Sequence, residues 1–306
     1  MSIYGMFKGK GATGFGYSST AEEVTAGIDL KGKTFIVTGS NSGLGTETAR
    51  VLALRGARVI ASARTVEKAT EAFRGVPGEF VPLALELSEP ASVRAAVATV
   101  RGLGHALDGI VCNAGIMALP ERKTQHGYEL QFFTNHVGHF ILVTGLVEKL
   151  SPTGRVVMLS STAHMNPYAE GIRLDDLGAE KGYTAWGAYG QAKLANLLFA
   201  RQLAKRLPAG QTSNSVHPGV IATNLSRHMN PIVVAMFSGI GPIVALKSVP
   251  EGAATSCYVA ANPAAATITG EYWADCNVAK SSAYGRDDAL AAALWEKTES
   301  IVASLA

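Results

Sequence analysis

A chain of 306 residues with 47% hydrophobic content has enough apolar surface for one large α/β domain with a buried core. Its 27 basic and 24 acidic side chains leave a net charge of +3, spread without basic runs, which excludes nucleic acid and anionic membrane surfaces as expected partners and points to small molecules. Cys112, Cys257 and Cys276 are odd in number and widely spaced, which suits neither a disulfide framework nor a metal cage and favours a reducing, cytoplasmic compartment.

Residues 1–30 read as an N-terminal arm with no continuous apolar run for a signal peptide or a membrane span. Within it, Ser19 or Thr20 followed by Glu22 or Glu23 forms a capping box, so a short helix is expected before the first strand. Residues 34–38 are a short β-branched run, and 44–54 turn to helical periodicity rich in Ala and Leu. Strands follow near 57–62, 79–85, 107–112 and 154–160, with helical stretches that include 89–101 and 128–150. Further strands are expected at 213–217 and 270–273. Strands alternating with helices predict a parallel sheet, and the continuous apolar runs at 109–112 and 155–159 suit strands covered on both faces. Residues 223–249 break the alternation with an irregular, Gly- and Pro-containing stretch.

Between the first strand and the first helix lies Thr38-Gly39-Ser40-Asn41-Ser42-Gly43-Leu44-Gly45. Its glycines permit a tight turn and let backbone N–H groups and the helix dipole approach a pyrophosphate. The spacing is Gly-x-x-x-Gly-x-Gly, not the Gly-x-Gly-x-x-Gly of the usual dinucleotide fingerprint. After the second strand, where an acid would hold the ribose of NAD, the chain has Ala61-Ser62-Ala63-Arg64. Arg64, with Ser62 or Thr65, could instead pair with a 2′-phosphate, so NADP(H) is favoured and NAD(H) stays open. Asn113-Ala114-Gly115 and the pair Ser160-Ser161 end the fourth and fifth strands, at the carboxyl edge where open α/β sheets bind ligands. Asn135 lies inside a helical stretch where its propensity is poor, which implies a backbone or water contact.

Tyr189 and Lys193 are four residues apart, so on a helix they share one face and can reach one substrate. A carbonyl that gains a hydride needs a proton on oxygen, and a tyrosine with its usual pKa of about 10 releases one poorly. A cation at about 4 Å and an effective dielectric of about 20 would stabilise phenolate by roughly 4 kcal/mol, lowering that pKa by about 3 units. His136 and His139 are one turn apart without a carboxylate or cysteine of matching spacing, so packing rather than a metal site is expected. The run Gly39-Ser-Asn-Ser-Gly43 does not match the Gly-x-Ser-x-Gly of a hydrolase nucleophile elbow.

In this order the motifs resemble the short-chain dehydrogenase/reductase family over about residues 32–305, and most of all its retinol-dehydrogenase-like branch. The resemblance rests on Thr38-Gly-x-x-x-Gly-x-Gly45, Asn113-Ala-Gly115, Asn135-His-Val-Gly-His-Phe140, Ser160-Ser-Thr-Ala-His164, Tyr189-x-x-x-Lys193, Val216-His-Pro-Gly219 and Gly270-Glu-Tyr-Trp-Ala-Asp-Cys276. It implies a single-domain Rossmann fold over 31–306, doubly wound around a mostly seven-stranded parallel sheet. It also implies an NADP(H)-preferring enzyme that interconverts an alcohol and a carbonyl on a largely apolar molecule, without a metal. Tyr189 would be the acid/base, Lys193 would bind the nicotinamide ribose and lower the tyrosine pKa, and Ser161 would orient the substrate oxygen. Asn135 would hold a water linking Lys193 to solvent. Gly39, Gly43 and Gly45, with Ser40, Asn41, Ser42 and Leu44 between them, would face the pyrophosphate. Asn113, with Ala114 and Gly115, would lie on the adenosine side, and Pro218, Gly219, Val220 and Thr223 near the nicotinamide amide and phosphates.

Glu86-Leu87 stands where the family has Asp-Leu beside adenine, Cys112 where the branch often has asparagine, and Ala192 where serine often precedes the lysine. The stretch 223–249 resembles a substrate-covering lid, with Leu225, Met229, Ile232, Val233, Met236 and Phe237 as pocket lining. Two rival readings are a C=C reductase similar to protochlorophyllide reductase and a non-catalytic nucleotide sensor. Relatives often pair through their fourth and fifth helices, and the sequence does not distinguish a homodimer from a monomer.

Overall fold

The structure is a computed structural model that describes residues 8–221 and 246–305. After a short helix α1 (Ala21–Val24), strands and helices alternate: β1 (Thr34–Val37), α2 (Gly43–Leu54), β2 (Arg58–Ala63), α3 (Val66–Ala72), β3 (Glu79–Ala84), α4 (Pro90–Gly102) and β4 (Leu107–Cys112). The second half adds α5 (Gly138–Leu146), β5 (Leu150–Leu159), α6 (Ala185–Ala204), β6 (Thr212–His217), α7 (Val249–Ala261), β7 (Tyr272–Ala274), β8 (Asn277–Val278) and α8 (Asp288–Ser304).

Thr20 caps α1 as the sequence implies: its hydroxyl accepts from the Glu23 N–H, and the Glu23 carboxylate accepts from the Thr20 N–H at 2.7 Å. The sheet runs in the order β8-β7-β6-β5-β4-β1-β2-β3, and every pair is parallel except β7 with β8. Strand order reverses between β1 and β4, which are joined by Val37 opposite Val111, and at such a reversal the loops beyond the carboxyl ends part to leave a crevice.

Side chains alternate across the sheet and divide the core in two. Ile36, Ile110 and Met158 face α4, α5, α6 and α8, whose Val93, Leu142, Leu198 and Leu294 complete one cluster. Val37, Val111 and Val157 face the other way, against Ala21 of α1, Val51 of α2 and Tyr258 of α7. Helices therefore cover both faces, the arrangement that continuous apolar strands require.

The seven expected parallel strands are present, and among the described residues an eighth, β8, returns antiparallel beside β7 through Asp275 and Cys276, both at positive φ (51° and 61°). Hairpin turns of this kind normally show Asn-Gly or Asp-Gly, so Asp-Cys gave no turn signal. The single helix expected at 128–150 is broken. A short α turn at Leu130–Phe132 passes into a π turn at Phe133–Val137 before α5, and a 3-10 turn at Val147–Lys149 ends the segment. In the π turn the Gly138 N–H reaches back to the Phe133 carbonyl, while Asn135 bonds out of the helix to the backbone of Ile116. Gly138 is required there because a Cβ would lie 2.3 Å from the Leu87 carbonyl oxygen.

Candidate active site

Four neighbouring strands end at one edge, and each delivers a candidate segment: Gly39 follows β1, Asn113 follows β4, Ser161 follows β5, and Pro218 follows β6. The glycine turn is held tightly. Gly39 and Gly43 have φ of 66° and 57°, and a Cβ on Gly45 would lie 2.2 Å from the Gly39 carbonyl oxygen and 2.5 Å from Asn113 Nδ2. Asn113 Nδ2 donates to the Thr38 carbonyl at 2.8 Å, so its side chain clamps this turn. Ser40 is buried and donates to the Val37 carbonyl at 2.6 Å, whereas Asn41 and Ser42 are exposed. Ser42 precedes α2 without a capping hydrogen bond from its side chain, and Gly43, Leu44 and Gly45 form the first turn. The N–H groups of a first helical turn have no partner within the helix, and this uncapped end suits an anion.

Arg64 is exposed beyond β2 and takes part in none of the ion pairs among the described residues. Ser62 instead turns toward the glycines and accepts from the Gly39 N–H at 3.4 Å, and Thr65 caps α3. Glu86 accepts from the Ser88 N–H and hydroxyl at 3.2 and 2.9 Å, which commits one carboxylate oxygen to its own turn. Leu87 is buried against α5, Ala114 donates its N–H to Thr38 Oγ1 at 2.9 Å, and Pro218 is buried beside Gly219 and the exposed Val220. Gly219 has φ of 91°, and a Cβ there would lie 2.6 Å from Lys247 Cδ. Thr223 and the lining proposed within 225–237 lie outside the described residues.

The catalytic candidates converge. Ser160 donates to the Lys193 carbonyl at 2.8 Å and so pins β5 to α6, while Ser161 Oγ accepts from the Ala163 N–H at 3.2 Å and is close enough to Tyr189 to favour its phenolate. Lys193 is 2% exposed, its Nζ donates to the Leu159 carbonyl at 3.0 Å, and it stands 5.7 Å from the centre of the Tyr189 ring. Gly115 lies beside both Asn135 and Lys193: a Cβ on it would be 3.0 Å from Asn135 Oδ1 and 3.4 Å from Lys193 Nζ. Asn135 Oδ1 accepts from the Ile116 N–H at 2.8 Å and its Nδ2 donates to the Ile116 carbonyl at 2.9 Å, so both polar ends of the amide hold the backbone.

Burial dominates the electrostatics of the pair. Burial pushes Tyr189 up to about 12, against the opposing hydrogen bond from Ser161, and burial brings Lys193 down to about 8. Burial is the largest influence on Tyr189, and the Lys193 ammonium spends one hydrogen on the Leu159 carbonyl. Three participants gave little signal in sequence. Thr38 and His139 hydrogen-bond each other across the site at 2.9 Å, and Trp186 sets its edge against Tyr189 with ring centres 6.0 Å apart. Trp186 is 52% exposed one helical turn before the tyrosine, and only that spacing could have marked it. Among the described residues no group of three or more His, Cys, Asp or Glu could hold a metal, and no helix is long and apolar enough to cross a membrane.

Comparison with known proteins agrees with this geometry. A family model described as short chain dehydrogenase matches residues 33–173. Over its whole length the chain is 42% identical to short-chain dehydrogenase TIC 32 A, chloroplastic, of Brassica napus, all of which is covered. It is 36% identical to human retinol dehydrogenase 14, with 90% of this chain and 88% of the relative aligned. A crystal structure of a putative uncharacterized protein from Mycobacterium paratuberculosis superposes with a TM-score of 0.75 at 31% identity, covering 94% of this chain and 98% of that one. The chain belongs to the short-chain dehydrogenase/reductase family of oxidoreductases, within its retinol-dehydrogenase-like branch.

Proposed function

We propose that the chain is an NADP(H)-preferring oxidoreductase that interconverts an alcohol and a carbonyl on a largely apolar small molecule, acting in the cytoplasm. The observation that carries this reading is the pair Tyr189 and Lys193, both buried one turn apart on α6 with the ammonium 5.7 Å from the ring centre, at the edge where Ser161 and the glycine turn end their strands. A pure nucleotide sensor needs no hydroxyl pair at that place.

The dinucleotide fits the residues present. The space a Cβ on Gly39, Gly45 or Gly115 would fill is already tight, so glycine lets backbone N–H groups come close, and the uncapped start of α2 suits a diphosphate. The turn 39–45, Asn113 and Gly115 would hold it, with Arg64 rather than an acid directly after β2 to face a 2′-phosphate. When bound, it supplies or accepts the hydride. The protein's own work is to hold the substrate oxygen between the Ser161 and Tyr189 hydroxyls. During reduction Tyr189 passes its proton to that oxygen, and Lys193 steadies the phenolate left behind. In the alcohol direction the phenolate takes the proton back. Trp186 at the mouth, and the naming of one relative as a retinol dehydrogenase, support an apolar substrate.

The test is a panel of aldehydes, ketones and alcohols with both cofactors, followed by nicotinamide absorbance. Tyr189→Phe should lower kcat by about a thousandfold or more while leaving dinucleotide affinity within about threefold. Turnover of enones with carbonyls left untouched would replace this reading by C=C reduction. Persistent carbonyl turnover in Tyr189→Phe would remove the tyrosine from the mechanism.

A further inference from the structure

His139 is fully buried in α5, one turn after Asn135, and makes two hydrogen bonds. Its Nδ1 lies 2.8 Å from the Asn135 carbonyl oxygen and its Nε2 lies 2.9 Å from Thr38 Oγ1. A carbonyl can only accept, so Nδ1 carries the proton. Burial, with Lys193 nearby, holds the imidazole down to about 4, so the ring is neutral and Nε2 is an acceptor. Thr38 must then donate its hydroxyl hydrogen to Nε2, and its oxygen accepts the Ala114 N–H at 2.9 Å. The result is a chain with one direction throughout: Ala114 N–H to Thr38, Thr38 O–H to His139, His139 N–H to Asn135.

The ends of this chain are the elements around the candidate site. Thr38 opens the glycine turn, Ala114 belongs to the turn after β4, and the Asn135 side chain holds the Ile116 backbone. The neighbouring His136 has no such reach. Thr298 spends its hydroxyl hydrogen on the Leu294 carbonyl, so His136 Nε2 donates to Thr298 Oγ1, a contact with α8 rather than with the site.

We propose that His139 is a positioning residue for the dinucleotide: a neutral imidazole that sets the spacing of the glycine turn and the 113–115 turn from the π turn behind Lys193. The proposal rests on the dinucleotide reading given above. It requires one donor and one acceptor at this position, which a purely space-filling role would not.

The experiment is calorimetric titration of NADPH into the wild-type chain and into His139→Leu, His139→Gln, Thr38→Val and Thr38→Ser, with thermal midpoints measured separately. His139→Leu and Thr38→Val should each weaken NADPH binding by about tenfold, the equivalent of one lost hydrogen-bonded contact. His139→Gln, which keeps a donor and an acceptor, and Thr38→Ser, which keeps the hydroxyl, should each bind within about threefold of wild type. The double variant should lose little more than either single one, since both cut the same chain. Wild-type affinity in Thr38→Val, or equal loss in His139→Leu and His139→Gln, would overturn the proposal even if thermal midpoints fall. If His139→Leu does not fold, the Thr38 pair and His139→Gln decide the question by themselves. A wild-type chain that binds neither dinucleotide would overturn the proposed function, and this inference with it.

Discussion

Lys193 enters the folded chain against its own charge: burial takes it from 10.5 down to about 8, and its Nζ has a carbonyl oxygen rather than a carboxylate as partner. Between those two pH values the unfolded chain binds a proton that the folded chain does not, so stability should rise with pH across the window. Tyr189 shifts the other way, from 10.0 up to about 12, so above its unfolded value the native state holds the extra proton and stability should fall. Lys193→Met removes the first effect alone. Urea unfolding at intervals from pH 8 to 10 should show the wild type gaining stability relative to that variant, and parallel curves would contradict the assigned burial. Arg64 offers a complementary test at the same scale, because it is exposed and takes part in no ion pair among the described residues. Arg64→Asp should lower the NADP-to-NAD ratio of kcat/KM by about tenfold or more, with little change in thermal midpoint. An unchanged ratio would place the 2′-phosphate elsewhere.

The π turn shows how an element carries the site. Within the π turn the Asn135 side chain bonds both backbone groups of Ile116, and the turn ends at Gly138 because Leu87 passes so close. Gly138→Ala should therefore destabilise the fold by about 1–3 kcal/mol and disturb the Asn135 contact. Gly102→Ala is the control: nothing lies within 4 Å of its Cβ position and its backbone is helical, so alanine there should be neutral or stabilise by about 0.5 kcal/mol. Equal effects in denaturant unfolding would refute the close-approach argument. Periodicity in the sequence revealed the helical character of 128–150, since apolar spacing averages over a turn. It could not reveal the extra residue, because that depends on Leu87, about fifty positions away and adjacent only after folding. Strands β1, β2, β4 and β5 were legible for the opposite reason: each carries a compact apolar run between turn residues. The glycine turn, Asn113, Ser161, Tyr189 and Lys193 were legible as local motifs, while Thr38 and His139 joined the site through side-chain contacts between segments a hundred residues apart. The electrostatic balance at Tyr189 was illegible altogether, because desolvation is a property of the packed core.

At the scale of the whole molecule, Asp275 joins the N-terminal arm to the segment before α7 beside the carboxyl edge of β6. It pairs with Lys8 of the N-terminal arm at 3.3 Å and with Lys247 before α7 at 2.7 Å, and the Lys247 side chain is 1% exposed. Asn277 next to it accepts from the Thr13 N–H at 3.1 Å and donates to the Phe15 carbonyl at 3.1 Å, so the arm is fastened to the β7-β8 turn. Lys247 also stands 4.7 Å over the Tyr17 ring and bonds through its N–H to Val220, which follows the Pro218-Gly219 segment of the site. Burial by itself would raise the Asp275 carboxyl, but Lys247 and then Lys8 outweigh it and hold it below the usual range. A carboxyl depressed in this way stabilises the fold above its unfolded pKa, and that contribution is lost as pH falls through the folded value. Asp275→Asn keeps a residue that tolerates positive φ and removes only the charge, leaving Lys247 buried beside an amide. It should cost about 3 kcal/mol at neutral pH, with the difference from wild type shrinking in acid. Lys8→Ala removes the exposed pair and the Lys8 contact with the Tyr17 ring and should cost less than about 1 kcal/mol. Denaturant unfolding of both variants at neutral and acid pH measures this, and equal losses would show that the arm, not the buried cation, fixes the turn.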